Sequence, residues 1–162
     1  MAKKIGTTLR MGAFVAVALA MSGCVTTTQT PTVAASAPVV ATSGFGGLLN
    51  QQRGAQGMAL VGQDATLTAA ARSHAADMVA KGYFSHTGAN GSSVATRIRA
   101  AGGCRAAVAE NIAQGQTSET AVFEGWMNSA SHRSNMLNQR YNKFGLGRSG
   151  NTWVLVLSGP CI

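Results

Sequence analysis

Charge is scarce in this sequence: Asp, Glu, Lys and Arg together make up 11% of its 162 residues, against roughly a quarter in ordinary globular domains. That scarcity excludes a disordered acidic or basic tail protein, which needs high charge and little apolar surface. Aromatic residues are few as well, at 6%. The apolar fraction of 46% contains 28 alanines, so the expected core is one of helices packed closely through small side chains. There is no His-Glu-x-x-His, Gly-x-Ser-x-Gly or Walker loop, which leaves zincin, α/β-hydrolase and P-loop chemistry without a sequence signature. The longest apolar run near the start, Ala13 to Met21, is shorter than the about 20 residues that cross a bilayer.

That run follows Lys3, Lys4 and Arg10 and precedes small residues, the parts of a secretory signal. The segment Ala20-Met21-Ser22-Gly23-Cys24 resembles a bacterial lipobox, with Met21 in place of the usual Leu. Its expected outcome is a signal peptide over residues 1–23 and a lipidated Cys24 that holds the mature protein to a membrane through several acyl chains. The competing reading is cleavage after Ala18-Leu19-Ala20, which leaves Cys24 as a free thiol. Three cysteines divide sensibly as one lipidated residue plus a disulfide between Cys104 and Cys161, the arrangement that suits an oxidising compartment. Val25 rather than Asp follows Cys24, so the expected location is the cell envelope, at the outer membrane if the source has one. Removing the three signal cations lowers the formal net charge from +8 to +5, and the remaining arginines are scattered. This pattern reads as a solvated surface, with no nucleic-acid partner.

Residues 24–43 carry no charge after the cysteine and are rich in Thr, Ala, Val, Pro and Ser, as expected for a flexible spacer. Residues 44–162 form the expected folded domain. Helical spacing is visible near Gly46 to Gln56, and again from an Asp64 or Thr66 cap through Leu67, Ala70, Ala71, His74, Ala75 and Met78 to Gly82. Two further helices are expected after Ser92 or Ser93 and after Ser118, the last displaying Val122, Phe123 and Trp126. Strand patterns cover 106–113, 144–148 and 152–158, the last two as a hairpin around Ser149-Gly150-Asn151. The fold class is therefore α+β, with a small central antiparallel sheet flanked by helices.

The chemistry-bearing residues are three histidines and five acids. His74 lies mid-helix among alanines and reads as structural. His86 sits in a loop, Glu110 is an acid in an apolar strand and so requires a partner, and His132 follows the fourth helix. Their separations define no local motif, so only the fold could unite them. A cysteine hydrolase built on Cys104 is the weaker reading of the same inventory.

The series Phe84-Ser85-His86, Ala109-Glu110-Asn111-Ile112-Ala113, Gly125 to Leu137 with Trp126 and Ser131-His132-Arg133, and Phe144-Gly145-Leu146-Gly147 resembles the CAP superfamily (cysteine-rich secretory, antigen 5, pathogenesis-related 1) in its bacterial SCP-domain branch. Arg97-Ile98 also fits that branch. The resemblance implies an α-β-α sandwich with a shallow cavity lined by His86, Glu110 and His132, with Ser129 standing where the family's second cavity glutamate falls. It implies a divalent metal, zinc foremost, between His86 and His132. The function it implies is a binding or structural module that engages a lipid, cell-wall fragment, peptide or protein, with no catalytic residue assigned; the alternative is a metal-assisted hydrolase using His86, His132 and Glu110. Cys24→Ser is expected to release the protein into a soluble fraction or stall it as a precursor, checked by membrane fractionation.

Overall fold

The computed structural model describes residues 39–40 and 43–162. The signal segment, Cys24 and most of the spacer lie outside the described residues. Ten elements follow in order: β1 (Val39–Val40), α1 (Gly44–Ala55), β2 (Gly62–Gln63), α2 (Ala65–Lys81), α3 (Val94–Ala100), β3 (Val108–Gln114), α4 (Glu119–Met127), α5 (Ala130–Met136), β4 (Lys143–Ser149) and β5 (Thr152–Ser158). The sheet order is β1-β2-β4-β5-β3. As expected, β3, β4 and β5 are antiparallel. The edge adds a parallel pair, β2 on β4, and Val39–Val40 within the expected spacer joins it as a short strand. The segment carrying His132 is itself helical, as α5.

Every residue of β5 is buried, because the strand has a packed layer on each face. Trp153, Leu155 and Leu157 join Phe45, Leu49, Val122, Trp126 and Met136 on the α1, α4 and α5 side. Val154 and Val156 join Leu67, Ala70, Ala71, Ala75, Met78 and Ile98 on the α2 and α3 side. The result is the expected α-β-α sandwich.

Helix α2 begins where Asp64 Oδ1 accepts from the Thr66 and Leu67 backbone N–H groups at 2.9 and 3.0 Å, satisfying donors that no helical carbonyl can reach. It ends at Gly82, whose φ of 67° is a left-handed cap. Between these ends the helix rests directly on β4. A Cβ at Gly145 would overlap the Leu67 carbonyl carbon and the Thr68 nitrogen, and one at Gly147 would overlap Ala71 and Arg72 backbone. Gly145 to Gly150 has the Gly-x-Gly-x-x-Gly spacing of dinucleotide loops, but here the first two glycines lie in a strand and the third, with φ of 54°, turns the β4–β5 hairpin.

On the opposite layer, the fully buried Arg53 guanidinium donates to the carbonyls of Ala59, Met136, Asn138 and Tyr141 at 2.9 to 3.1 Å. It ties α1 to the segment that follows α5. Cys104 and Cys161 are bridged, closing the end of β5 onto the entry to β3. The bridge encloses a separation of 57 residues, for which chain entropy gives a stabilisation of about 4 kcal/mol.

Gly145→Ala is expected to lower the unfolding free energy by about 1–3 kcal/mol, the usual range for overpacking, and more if backbone must separate. Chemical denaturation checks this; an unchanged midpoint would show that α2 is not seated on β4.

Candidate functional site

Strand β3 is the free edge of the sheet, and its alternation sends neighbouring residues to opposite layers. Ile112 packs with the α2 and α3 side, so Glu110, two residues away, faces that side. Asn111 faces α5: its Nδ2 donates to the His132 carbonyl at 3.1 Å, and its Oδ1 accepts from Asn135 Nδ2 at 2.8 Å. His86 and His132 thus approach β3 from opposite layers.

The Glu110 side chain is 3% exposed and its carboxylate is shared among three cations or potential cations. Oε1 accepts from His86 Nδ1 at 2.9 Å. Oε2 accepts from Arg97 Nη2 at 2.7 Å. His74 Nε2 lies 3.9 Å from Oε1, close enough for charge to be felt but not for a hydrogen bond. A carboxylate only accepts, so His86 Nδ1 carries the proton of this hydrogen bond and Nε2 stands on the far side of the ring. The His86 side chain is 59% exposed, and no side chain among the described residues hydrogen-bonds that Nε2.

The loop carrying His86 is held by the same arginine. Arg97 Nη1 donates to the Ser92 carbonyl at 2.7 Å and Nη2 to the His86 carbonyl at 3.0 Å. Tyr83 closes the loop from the other end, donating to Asp77 at 2.5 Å and accepting from the Ala89 N–H at 3.2 Å. His74, buried in α2, donates from Nε2 to the Ser85 carbonyl at 2.9 Å.

The fold therefore unites His86 and Glu110 directly and sets His132 near His86, whose charge is felt at the His132 ring. Ser129 precedes α5 as the cap residue, and its Oγ pairs with Ser131 Oγ at 3.4 Å. Two participants were not among the expected site residues. Arg97 is the cation that a buried carboxylate demands, but nothing in the sequence paired it with Glu110. His74 carried no signal beyond its place on an apolar face.

The expected zinc between His86 and His132 is not supported. Among the described residues no group of three or more His, Cys, Asp or Glu is placed to hold a metal ion. Chemically, the carboxylate that would complete such a set is already matched by Arg97, whose fixed charge opposes a second cation beside it.

Burial, and then the charge of Arg97, push the His74 imidazole below its ordinary value of 6.5; burial, and then His86, do the same to His132. In the unfolded chain both rings take up protons as pH falls through about 6.5, while in the folded protein they resist until lower pH. Stability conferred by these neutral rings is complete above 6.5 and is lost as pH falls toward the folded values. Thermal melts are expected to show a midpoint that falls as pH drops below about 6.5, a slope that His132→Gln reduces.

Residues 47–156 match the family described as the cysteine-rich secretory protein family, CAP. The uncharacterized protein YkwD of Bacillus subtilis (strain 168) is 36% identical over 109 residues, which is 66% of this chain and 42% of that protein. The uncharacterized membrane protein YlbC of the same organism is 33% identical over 100 residues, 62% of this chain and 29% of that protein. This chain thus spans less than half the length of these curated relatives. An extracellular protein from Bacillus anthracis containing an SCP domain superposes with a TM-score of 0.68 at 26% identity, covering 70% of this chain and 38% of that one. An outer surface protein of Borrelia burgdorferi shares the fold, with a TM-score of 0.63 at 21% identity over 70% of this chain and 87% of its own. With more than half of its length matching the family and with the sandwich, the Phe-Ser-His loop and the buried Glu-Asn strand all in place, the chain belongs to the CAP family.

Proposed function

We propose that this protein is a lipid-tethered, extracytoplasmic binding module whose recognition element is the β3 edge formed by His86, Glu110 and His132. The observation that carries the reading is the Glu110–His86 hydrogen bond: a buried carboxylate, itself neutralised by Arg97, fixes the tautomer and direction of an exposed imidazole. Such an imidazole presents an oriented ring nitrogen to a polar group on a ligand. Burial, and then His86, push the His132 imidazole below its ordinary value, so that ring is able to accept a hydrogen bond at neutral pH. Phe84, 47% exposed and two residues before His86, adds apolar surface. A lipid, cell-wall fragment, peptide or protein bearing N–H or O–H groups beside an apolar portion suits this edge.

The tether rests on the Cys24 lipobox. The membrane, extracellular and outer-surface descriptions of similar proteins support an envelope location. Among the described residues no helix is long and apolar enough to cross a membrane.

Screening the mature chain against wall fragments, phospholipid vesicles and peptides tests this reading. His86→Gln is expected to weaken binding by about tenfold or more while leaving the melting temperature nearly unchanged, since the side chain is largely exposed. Undiminished binding would remove His86 from the recognition element. Steady release of a cleaved product would instead favour the hydrolase reading.

A further inference from the structure

Beyond β3, the sheet has a second open edge. Strand β2 ends at Gln63 and pairs only with Lys143 and Phe144 of β4, so residues 145–149 have no strand on that side among the described residues. The Phe144 carbonyl accepts from the Asp64 N–H at 2.8 Å, and so Phe144 turns its backbone groups toward β2. By the two-residue alternation of a strand, the N–H and C=O groups of Leu146 and Arg148 point the same way, past the end of β2. The described residues make no hydrogen bond to them there. Unpaired edge groups of this kind are a template for another extended chain.

The surface along this edge is concave. A cavity of about 330 Å³ is lined by Leu146, Arg148, Trp153, Arg72 and Glu119. A second, of about 430 Å³, shares Arg72 with it and is also lined by Thr68 and Gln63, where β2 stops. Neither His86 nor His132 lines either one, and β5 separates this edge from β3.

Two arginines flank the edge from opposite faces of the sheet. Arg72 belongs to α2, which packs on the face of Val154 and Val156. The Arg148 guanidinium lies 4.4 Å over the Trp153 ring, on the face that α4 covers. Arg148 is held there by Nε on the Gly150 carbonyl at 2.7 Å and Nη2 on Asn151 Oδ1 at 3.3 Å, which leaves Nη1 as an unused donor. Neither guanidinium has a carboxylate partner among the described residues. Glu119, the acid on the cavity wall, already accepts from the Phe45 N–H at 2.6 Å.

These features specify an occupant. An added strand sends alternate side chains to opposite faces of the sheet, so two neighbouring residues of one extended peptide would meet Arg72 and Arg148 respectively. The partner that matches a guanidinium in charge and geometry is a carboxylate. The same cations oppose edge-to-edge pairing of two copies of this chain. Residues 25–38 of the spacer contain no acid, so the chain's own spacer does not supply the match either. We infer that the open edge of β4 takes up an extended segment of a partner protein by strand addition, with two adjacent acidic residues, one carboxylate on Arg72 and the other on Arg148.

The test titrates the full chain into a fluorescein-labelled peptide, Thr-Val-Glu-Glu-Val-Thr, followed by fluorescence anisotropy. The peptide Thr-Val-Gln-Gln-Val-Thr is the neutral comparator, and phosphatidylglycerol vesicles are the alternative anionic surface. The expected result is saturable binding of the acidic peptide, weaker by about tenfold or more for the neutral one, with slowed hydrogen exchange at the Leu146 and Arg148 amides. Arg72→Gln, at an exposed position of α2, is expected to lower the affinity by about tenfold with the melting temperature unchanged, and Arg148→Gln lowers it from the other face. His86→Gln is expected to leave binding intact, which separates this edge from β3. Absence of saturable binding, equal affinity for the two peptides, or full affinity in both arginine variants would each overturn the inference. So would binding without slower exchange at Leu146 and Arg148, or a preference for the vesicles that Arg72→Gln removes.

Discussion

The seating of α2 on the bare backbone of β4 is the contact from which the rest of the arrangement follows. Two glycines, Gly145 and Gly147, leave no side chain of the strand between it and the helix; Leu67 and Thr68 meet the first and Ala71 and Arg72 the second. Close approach of this kind gains dispersion contacts over a whole helical length, but it leaves the helix no freedom to shift by a fraction of a turn. The loop that leaves α2 at Gly82 is aimed by that placement, and with it His86. A chain so rich in alanine is suited to the arrangement, because the α2 layer is built from proximity of backbone, while bulky side chains such as Trp126 and Trp153 fill the opposite layer.

Glu110 then decides what the aimed loop becomes. A buried carboxylate with one partner costs more in lost hydration than it regains. With Arg97 on one oxygen and His86 on the other, its acceptor sites are used and its charge is matched. The pairing contributes little net stability relative to an apolar equivalent; what it contributes is direction. Arg97 binds the carboxylate, the Ser92 carbonyl and the His86 carbonyl at once, so strand, loop and α3 share one geometry. Asn111, pointing the other way along the same strand, performs the corresponding task for α5.

Much of this was legible in the amino-acid sequence, and the exceptions have physical causes. The helix from Leu67 to Met78 and the 144–158 hairpin show clear periods, and the cysteine count pointed to the bridge between Cys104 and Cys161. The two-residue strands at Val39 and Gly62 were not visible, because strands that short have no period and are defined only by what they pair with. Helix α5 was hidden because Ala130 to Met136 is polar and exposed along most of its length, without an apolar stripe to mark it. Within the site, His86 and Glu110 stood out as polar residues in conspicuous places. Arg97 did not, since an arginine on a short surface helix is ordinary until its carboxylate is known. Ser129 was expected at the cavity from its family position; its hydroxyl pairs with Ser131, a contact that sequence position alone does not determine.

Arg53 and Arg97 show how one residue type can serve structure or site. Arg53 is fully enclosed and donates only to backbone carbonyls; burial pushes its pKa down from the usual arginine value. Its charge is dispersed over fixed dipoles, and every partner belongs to a segment that it holds in place. Arg97 is matched instead by a full carboxylate whose second oxygen reaches an exposed imidazole. A purely structural cation would be served as well by carbonyls alone. The added acid orients, through its other oxygen, a group that faces solvent, which supports the proposed recognition edge at His86 rather than in the layer that Arg53 secures.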